Sequence, residues 1–232
     1  MPMVRSGSAV RGCVLLVAAA LLAGCTRVIV GTMHPVRPGG DDAAPIPVAD
    51  LLIEPERFPE RYPAAVLDGT AVDWVLQDVD GVPDGSVVTP PECAPPPAPH
   101  DAAAAQGIDG RDASSLIVAV TRAAPPLRTR ADQLAACPSF TSVRGPDTYS
   151  VTVTLLAPPP VDADDTYAVD QTVIEQPSGE IRRTLTLAAQ VGDVRLTTTW
   201  LHTGTQEVAP DTQSLDTLFT DAVLKVRRVG GP

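Results

Sequence analysis

Cysteine, histidine and clustered carboxylates are the side chains in this 232-residue sequence whose types offer chemistry beyond packing. Cysteines stand at Cys13, Cys25, Cys93 and Cys137, and histidines at His34, His100 and His202. No histidine lies at metal-ligand spacing from another His, Cys or carboxylate, so each reads as an isolated surface residue. Asp162, Asp164 and Asp165 have the charge density of a calcium loop, but the glycine and terminal glutamate of an EF-hand are missing. That stretch reads as a solvated acidic loop. Glu54, Glu56 and Glu60 have the chemistry of an acid–base pair, yet nothing in the sequence sets them in a cleft. Ser114 and Ser115 precede a strand with no base nearby in sequence. GxSxG, HExxH, SxxK and Gly-rich phosphate-loop patterns are absent. The expectation is a non-enzymatic protein with no catalytic, metal-ligating or cofactor-binding residues.

Cys25 is set apart by what precedes it. Arg5 and Arg11 form a positive n-region, and the apolar run Val14–Ala23 follows. At about ten residues the run is too short to span a bilayer as an ordinary helix and has the length of a signal-peptide core. Leu22-Ala23-Gly24-Cys25 then resembles the bacterial lipobox. The resemblance implies that the Cys25 sulfur receives a diacylglycerol, that the peptide is cut just before it, and that the new amino terminus is open to acylation. The competing reading is a plain secretory signal with an incidental cysteine. Two or more acyl chains hold a protein stably at a membrane, where one does so marginally. The expected location is therefore the extracytoplasmic face of the cell membrane, lipid-anchored, with the membrane as a partner through Cys25. Cys13 lies in the segment that would be removed.

Cys93 and Cys137 then remain. Outside the cytoplasm an even pair reads as a disulfide, which would stabilise the fold by about 4 kcal/mol on the loop-entropy model. The alternative is a reduced, reactive pair, although the wide separation is unlike a CxxC redox motif.

The formal charge is −11, and removal of Arg5 and Arg11 leaves the mature chain more acidic still. Phosphate-backbone binding rests on Lys and Arg, so nucleic acid is not an expected partner. Lys225 is the single lysine. Aromatics make up 3% of the chain, so the core must come from Val, Leu, Ile and Ala and few platforms exist for stacking sugars or bases.

Elements that would position these residues follow in chain order. Residues 1–24 form the signal and 25–49 a disordered tether broken by Pro35, Pro38, Gly39, Gly40, Pro45 and Pro47. A domain at 50–229 begins with a short helical turn, Leu51 to Ile53, capped by Asp50. Phe58 and Tyr62, four apart, share a face at the core edge. Val72, Trp74 and Leu76 alternate as in a short strand or extended arm. The Pro-rich stretch from Thr89 to Pro97 is extended and pinned by Cys93, and Ala102–Ala105 form one helical turn. Leu116–Ala123 has the apolar look of a central strand. Thr129–Cys137 reads as a helix capped by Thr129, with Leu134 and Cys137 facing inward. Tyr149–Leu156 alternates as a half-buried strand, and Tyr167–Gln176 is a further strand. Ile181–Val191 and Val194–Leu201 form a hairpin around Gly192-Asp193. Leu215 to Val229 carries one apolar stripe at helical spacing, capped by Asp211 or Ser214. Lys225, Arg227 and Arg228 suit its C-terminal end electrostatically. The fold class is α+β, a mainly antiparallel sheet with helices packed on it.

Cys25-Thr26-Arg27-Val28 with Gly31-Thr32 looks like the tether start of exported mycobacterial lipoproteins, an actinobacterial pattern. Leu51-Leu52, Pro91-Glu92-Cys93, the helix ending at Cys137 and the hairpin Leu185–Trp200 resemble the extracellular sensor-like domain of PknH-type receptor kinases. The resemblance implies a sheet with flanking helices, a central cleft and ligand sensing. That domain is expected to hold two disulfides where this chain has cysteines for one, and no kinase domain follows here. No site residue is carried over from it. The functional expectation is a cell-envelope lipoprotein whose non-catalytic domain binds an unidentified ligand or protein in a cleft between sheet and helix. A lipid or glycolipid carrier is the alternative, and a carboxylate-dependent hydrolase a third reading.

Overall fold

The computed structural model describes residues 45–97, 99, 101–122, 125–205 and 208–230. The signal, Cys25, most of the expected tether, His34 and His100 lie outside them. The described elements are α1 (Val48–Leu51), β1 (Ala64–Val66), α2 (Gly69–Asp80), β2 (Val87–Thr89), β3 (Ala102–Asp109), β4 (Ser114–Arg122) and α3 (Leu127–Ala136). Then come β5 (Ser139–Arg144), β6 (Asp147–Leu156), β7 (Asp165–Gln176), β8 (Ile181–Val191), β9 (Val194–Gly204) and α4 (Thr212–Gly230). The nine strands form one sheet in the order β1-β3-β4-β9-β8-β7-β6-β5-β2, and every pairing is antiparallel. This is the α+β architecture expected from the hairpin signals.

Period-two alternation gives the sheet two dressed faces. On one, Leu185 and Leu187 of β8, Leu196 and Trp200 of β9 and Val118 of β4 meet the stripe Leu215, Phe219, Ala222 and Val226 of α4, with α1 packed beside it. Asp211 is the cap of α4: its Oδ1 accepts the Ser214 N–H at 3.1 Å and its carbonyl the Leu215 N–H at 3.1 Å. On the other face, α2 sets Val72 and Val75 on Ala104, Ile117 and Ala119 of β3 and β4. Farther along that face, Leu134 of α3, Cys93 and Cys137 cover Phe140, Val151, Val153 and Val173. The hairpin turn falls at Gly192-Asp193 as read, with Gly192 at φ 60°. Phe58 and Tyr62 are both buried core residues.

Several local readings are corrected. Val72, Trp74 and Leu76 lie in α2, not in a strand or arm. Val72 and Leu76 also fall on a helical stripe with Val75 and Val79, and Gly81, left-handed at φ 71°, terminates that helix. Trp74 accordingly faces out while Val72 and Val75 are buried. Ala102–Ala105 belong to β3, not to a helical turn, because eight consecutive pairings with β4 outweigh alanine's helical preference. Neither Asp50 nor Thr129 is a cap. Both lie inside their helices, which start after Pro47 and Pro126. Strands β1 and β2, three residues each at the two sheet edges, and β5, which lies between β6 and β2, are not evident from the sequence pattern.

Candidate functional site

Between α2 and α3, over the second face of the sheet, the packing stops short and leaves a cleft of about 720 Å³. Leu76, Val79 and Val82 form one wall, and Pro95, Pro96, Pro97 and Pro99 the facing one. Thr121 of β4, Arg195 and Thr197 of β9 and Tyr167 of β7 complete the lining, with Arg130 of α3. Each wall is held by identifiable bonds. Gly81 ends α2 by donating its N–H to the Gln77 carbonyl at 2.9 Å, and Gln171 Nε2 on β7 donates to the Asp80 carbonyl at 3.1 Å. On the proline side, Cys93 is joined to Cys137 in a disulfide with its Cα atoms 5.7 Å apart. Gln133 Nε2 of α3 donates to the Glu92 and Ala94 carbonyls at 2.7 Å each. Proline carries no N–H, so Pro95, Pro96, Pro97 and Pro99 offer no backbone donors to the cleft.

Three arginines line the cleft, and they differ in how they are satisfied. Arg130, 9% exposed at its side chain, pairs with Asp80 Oδ1 at 3.1 Å and donates to Gln133 Oε1 at 2.6 Å. Arg122 pairs with Asp193 at 2.9 Å and with Asp101 at 3.5 Å. Arg195 donates from Nη2 to the Pro125 carbonyl at 2.6 Å, and its buried Nε has no acceptor among the described residues. Burial pushes the Asp80 carboxyl up from its ordinary value, against the pull of Arg130. Desolvation likewise raises the Tyr167 phenol.

The residues weighed from sequence are placed elsewhere. His202 is buried, not on the surface: it stacks against Trp200 with ring centroids 6.1 Å apart, because its even position on β9 turns it toward the α4 face. Asp162 and Asp164 bind Arg227 of α4 at 3.3 and 3.1 Å, and the Gly192 N–H donates to Asp164 at 2.6 Å. Glu54 pairs with Lys225 at 2.7 Å. Lys225 and Arg227 therefore serve ion pairs with neighbouring segments, while Arg228 donates to the Leu224 carbonyl of its own helix at 3.2 Å. Ser114 donates its hydroxyl to Asp112. Among the described residues no group of His, Cys, Asp or Glu is arranged to hold a metal ion. The glutamates and the acidic loop are not brought into the cleft.

A second polar cluster lies at the β3–β4 turn. Asp109, buried, accepts from Arg61, from Arg111 Nε and Nη2 at 3.0 Å each and from the Arg111 N–H at 2.9 Å. The two guanidiniums hold its carboxyl well below the usual carboxylate range. Every bond there is internal, and the cluster ties the Arg61 segment to the sheet.

Sequence reading missed Asp80, Arg130, Tyr167 and Arg195. Two signals were available. Arg130 falls at helical spacing between Leu127 and Leu134, on the buried stripe of α3. Arg195 occupies the same face of β9 as Thr197 and Thr199, where a buried polar floor breaks the aliphatic pattern.

Comparison with family models and with curated proteins returned no significant match. Among solved structures, the chain is similar to an uncharacterised protein of Mycobacterium smegmatis, a Rv0999 ortholog, at 14% identity and TM-score 0.46, over 78% of this chain and 96% of that one. It is also similar to the extracellular domain of PknH from Mycobacterium tuberculosis, at 16% identity and TM-score 0.41, over 75% of this chain and 97% of that one. Both likenesses are distant, and no residue role is carried from either protein.

Proposed function

We propose that this protein is an extracytoplasmic lipoprotein, held to the membrane by acylated Cys25, whose α+β domain binds a small ligand or partner without catalysing a reaction. The address is supported by the order of Arg5, Arg11, the apolar run and Leu22-Ala23-Gly24-Cys25. A cystine between Cys93 and Cys137 accords with an oxidising compartment. No described helix is long and apolar enough to cross a membrane. The observation that carries the binding reading is the cleft itself. Its volume of about 720 Å³ falls on the scale of ligand sites, and it joins apolar walls to a few convergent polar groups.

The carrier alternative needs a large apolar cavity. Arg130, Arg195, Asp80, Thr121 and Thr197 in the lining weigh against an acyl chain lying there. The hydrolase reading needs two acids with separated pKa values in one cleft. Asp80 is committed to Arg130, which weighs against that too.

Mass spectrometry of the native protein and of its solvent extract tests the proposal. The expected protein begins at Cys25, carries acyl chains and co-purifies with a ligand that a cleft-filling Thr197→Trp variant loses. An unmodified Cys25 behind an uncleaved signal would overturn the address. Retention of the ligand by the filled variant would overturn the site.

A further inference from the structure

We infer that the cleft receives the anionic group, carboxylate or phosphate, of a small amphipathic molecule, and that Arg195 is the residue that binds it. The inference rests on the cleft being a binding site. It comes from the unequal state of the arginines lining it. Arg130 and Arg122 are each neutralised by carboxylates, Asp80 for the first and Asp193 with Asp101 for the second. Arg195 lines the cleft, forms no ion pair among the described residues, and is held by the bond from its Nη2 to the Pro125 carbonyl at 2.6 Å. A guanidinium that faces a cleft without a carboxylate partner is suited to an oxyanion, which supplies charge-assisted and bidentate bonds. Asp73 and Asp84 stand exposed at the rim, where solvent screens them. Of the three arginines in the lining, Arg195 is therefore the one without an ion pair among the described residues, with Asp80 acting on it only at longer range, in a chain whose net charge is −11.

The surroundings set the rest of the ligand. Thr121 and Thr197 place hydroxyl donors beside Arg195 on neighbouring strands, since Thr121 pairs directly with Arg195 and Ala119 with Thr197. The proline wall has no N–H to offer, and Leu76, Val79 and Val82 face it. Arg195 with Thr121 and Thr197 thus offers a polar head its partners at the sheet, while an aliphatic or aryl body fits between Leu76, Val79 and Val82 and the prolines. Both a free organic acid and a phosphate ester have this chemistry.

Titration calorimetry on the full-length, detergent-solubilised protein tests the inference with four probes: phenylacetate, phenyl phosphate, inorganic phosphate and neutral 2-phenylethanol. Phenylacetate or phenyl phosphate is expected to bind roughly tenfold or more tightly than 2-phenylethanol, the scale of one charge-assisted hydrogen bond. Whichever of the two binds more tightly identifies the acid or the ester as the source. Inorganic phosphate, lacking a body, is expected to bind more weakly than phenyl phosphate. Arg195→Gln should abolish the preference of the anions over 2-phenylethanol. Arg195→Lys, which keeps the charge and loses the fork, should keep part of it. Equal binding of the alcohol and the anions, or an unchanged preference in Arg195→Gln, would overturn the anion assignment while leaving a binding cleft. Absence of binding by every probe, with a neutral ligand found in the native extract, would do the same. An empty extract together with silence from every probe would sink both readings.

Discussion

Asp80 at the end of α2 and Arg130 on the buried stripe of α3 meet at 3.1 Å, so one ion pair joins the two helices that frame the cleft. Neither helix touches the other through an apolar cluster. Val72 and Val75 pack on β3 and β4, whereas Leu134 packs on the far half of the sheet. Arg130→Met should leave Asp80 without a partner and lower stability. Asp80 is 38% exposed at its side chain, which discounts the loss from the usual buried-pair figure to about 1–3 kcal/mol. Urea unfolding measures it, and an unchanged midpoint would mean that the pair does not brace the helices.

Gly81 has no room for a side chain. A Cβ there would meet Gln171 Nε2 at 1.9 Å, and its φ of 71° is left-handed. Gly81→Ala should cost about 1–3 kcal/mol and weaken ligand binding, because it displaces the bond that holds the end of α2 to β7. Loss of stability with full binding would separate the turn from the cleft.

The disulfide closes a sequence separation of 44 residues. Replacing both Cys93 and Cys137 by alanine should destabilise the domain by about 4 kcal/mol on the loop-entropy model. The proline wall then keeps Gln133 as its tie to α3, so binding should weaken along with stability. Thermal melts of the double variant beside the parent check this.

Asp109 governs part of the acid response. Its carboxyl is held below the ordinary value of 3.8, so its contribution is present above that pH and is lost as pH falls through the carboxylate range toward its folded value. Glu54, Asp112 and Asp164 are depressed too and act in the same direction. Asp109→Asn should be less stable at neutral pH and lose less on acidification to about pH 3 than the parent. Equal acid slopes for the two would remove Asp109 from the account.

The two tryptophans should report separate environments. Trp74 on α2 is 65% exposed and Trp200 under α4 is 1% exposed. Acrylamide should quench about half the emission readily, and Trp74→Phe should remove that accessible fraction. If Trp74 is already shielded in the native protein, a partner covers the outer face of α2.

What the sequence determined was set by local pattern and order. The address proposed from an n-region, an apolar run and Leu22-Ala23-Gly24-Cys25 rests on a linear segment alone, which lies outside the described residues. The strand at Tyr149–Leu156, the hairpin about Gly192-Asp193 and the stripe of α4 were legible because each declares its period within one element. Tertiary structure decided what periodicity leaves open. Ala102–Ala105 became strand because β4 was there to pair with them, and Ala104 and Ala105 are wholly buried as a result. His202 was buried by its register on β9, one residue of which exchanges the α4 face for the cleft face. The cleft itself draws Asp80, Arg130, Tyr167 and Arg195 from four elements of the chain. Their meeting depends on strand order and helix placement, long-range pairings that no window of neighbouring residues contains.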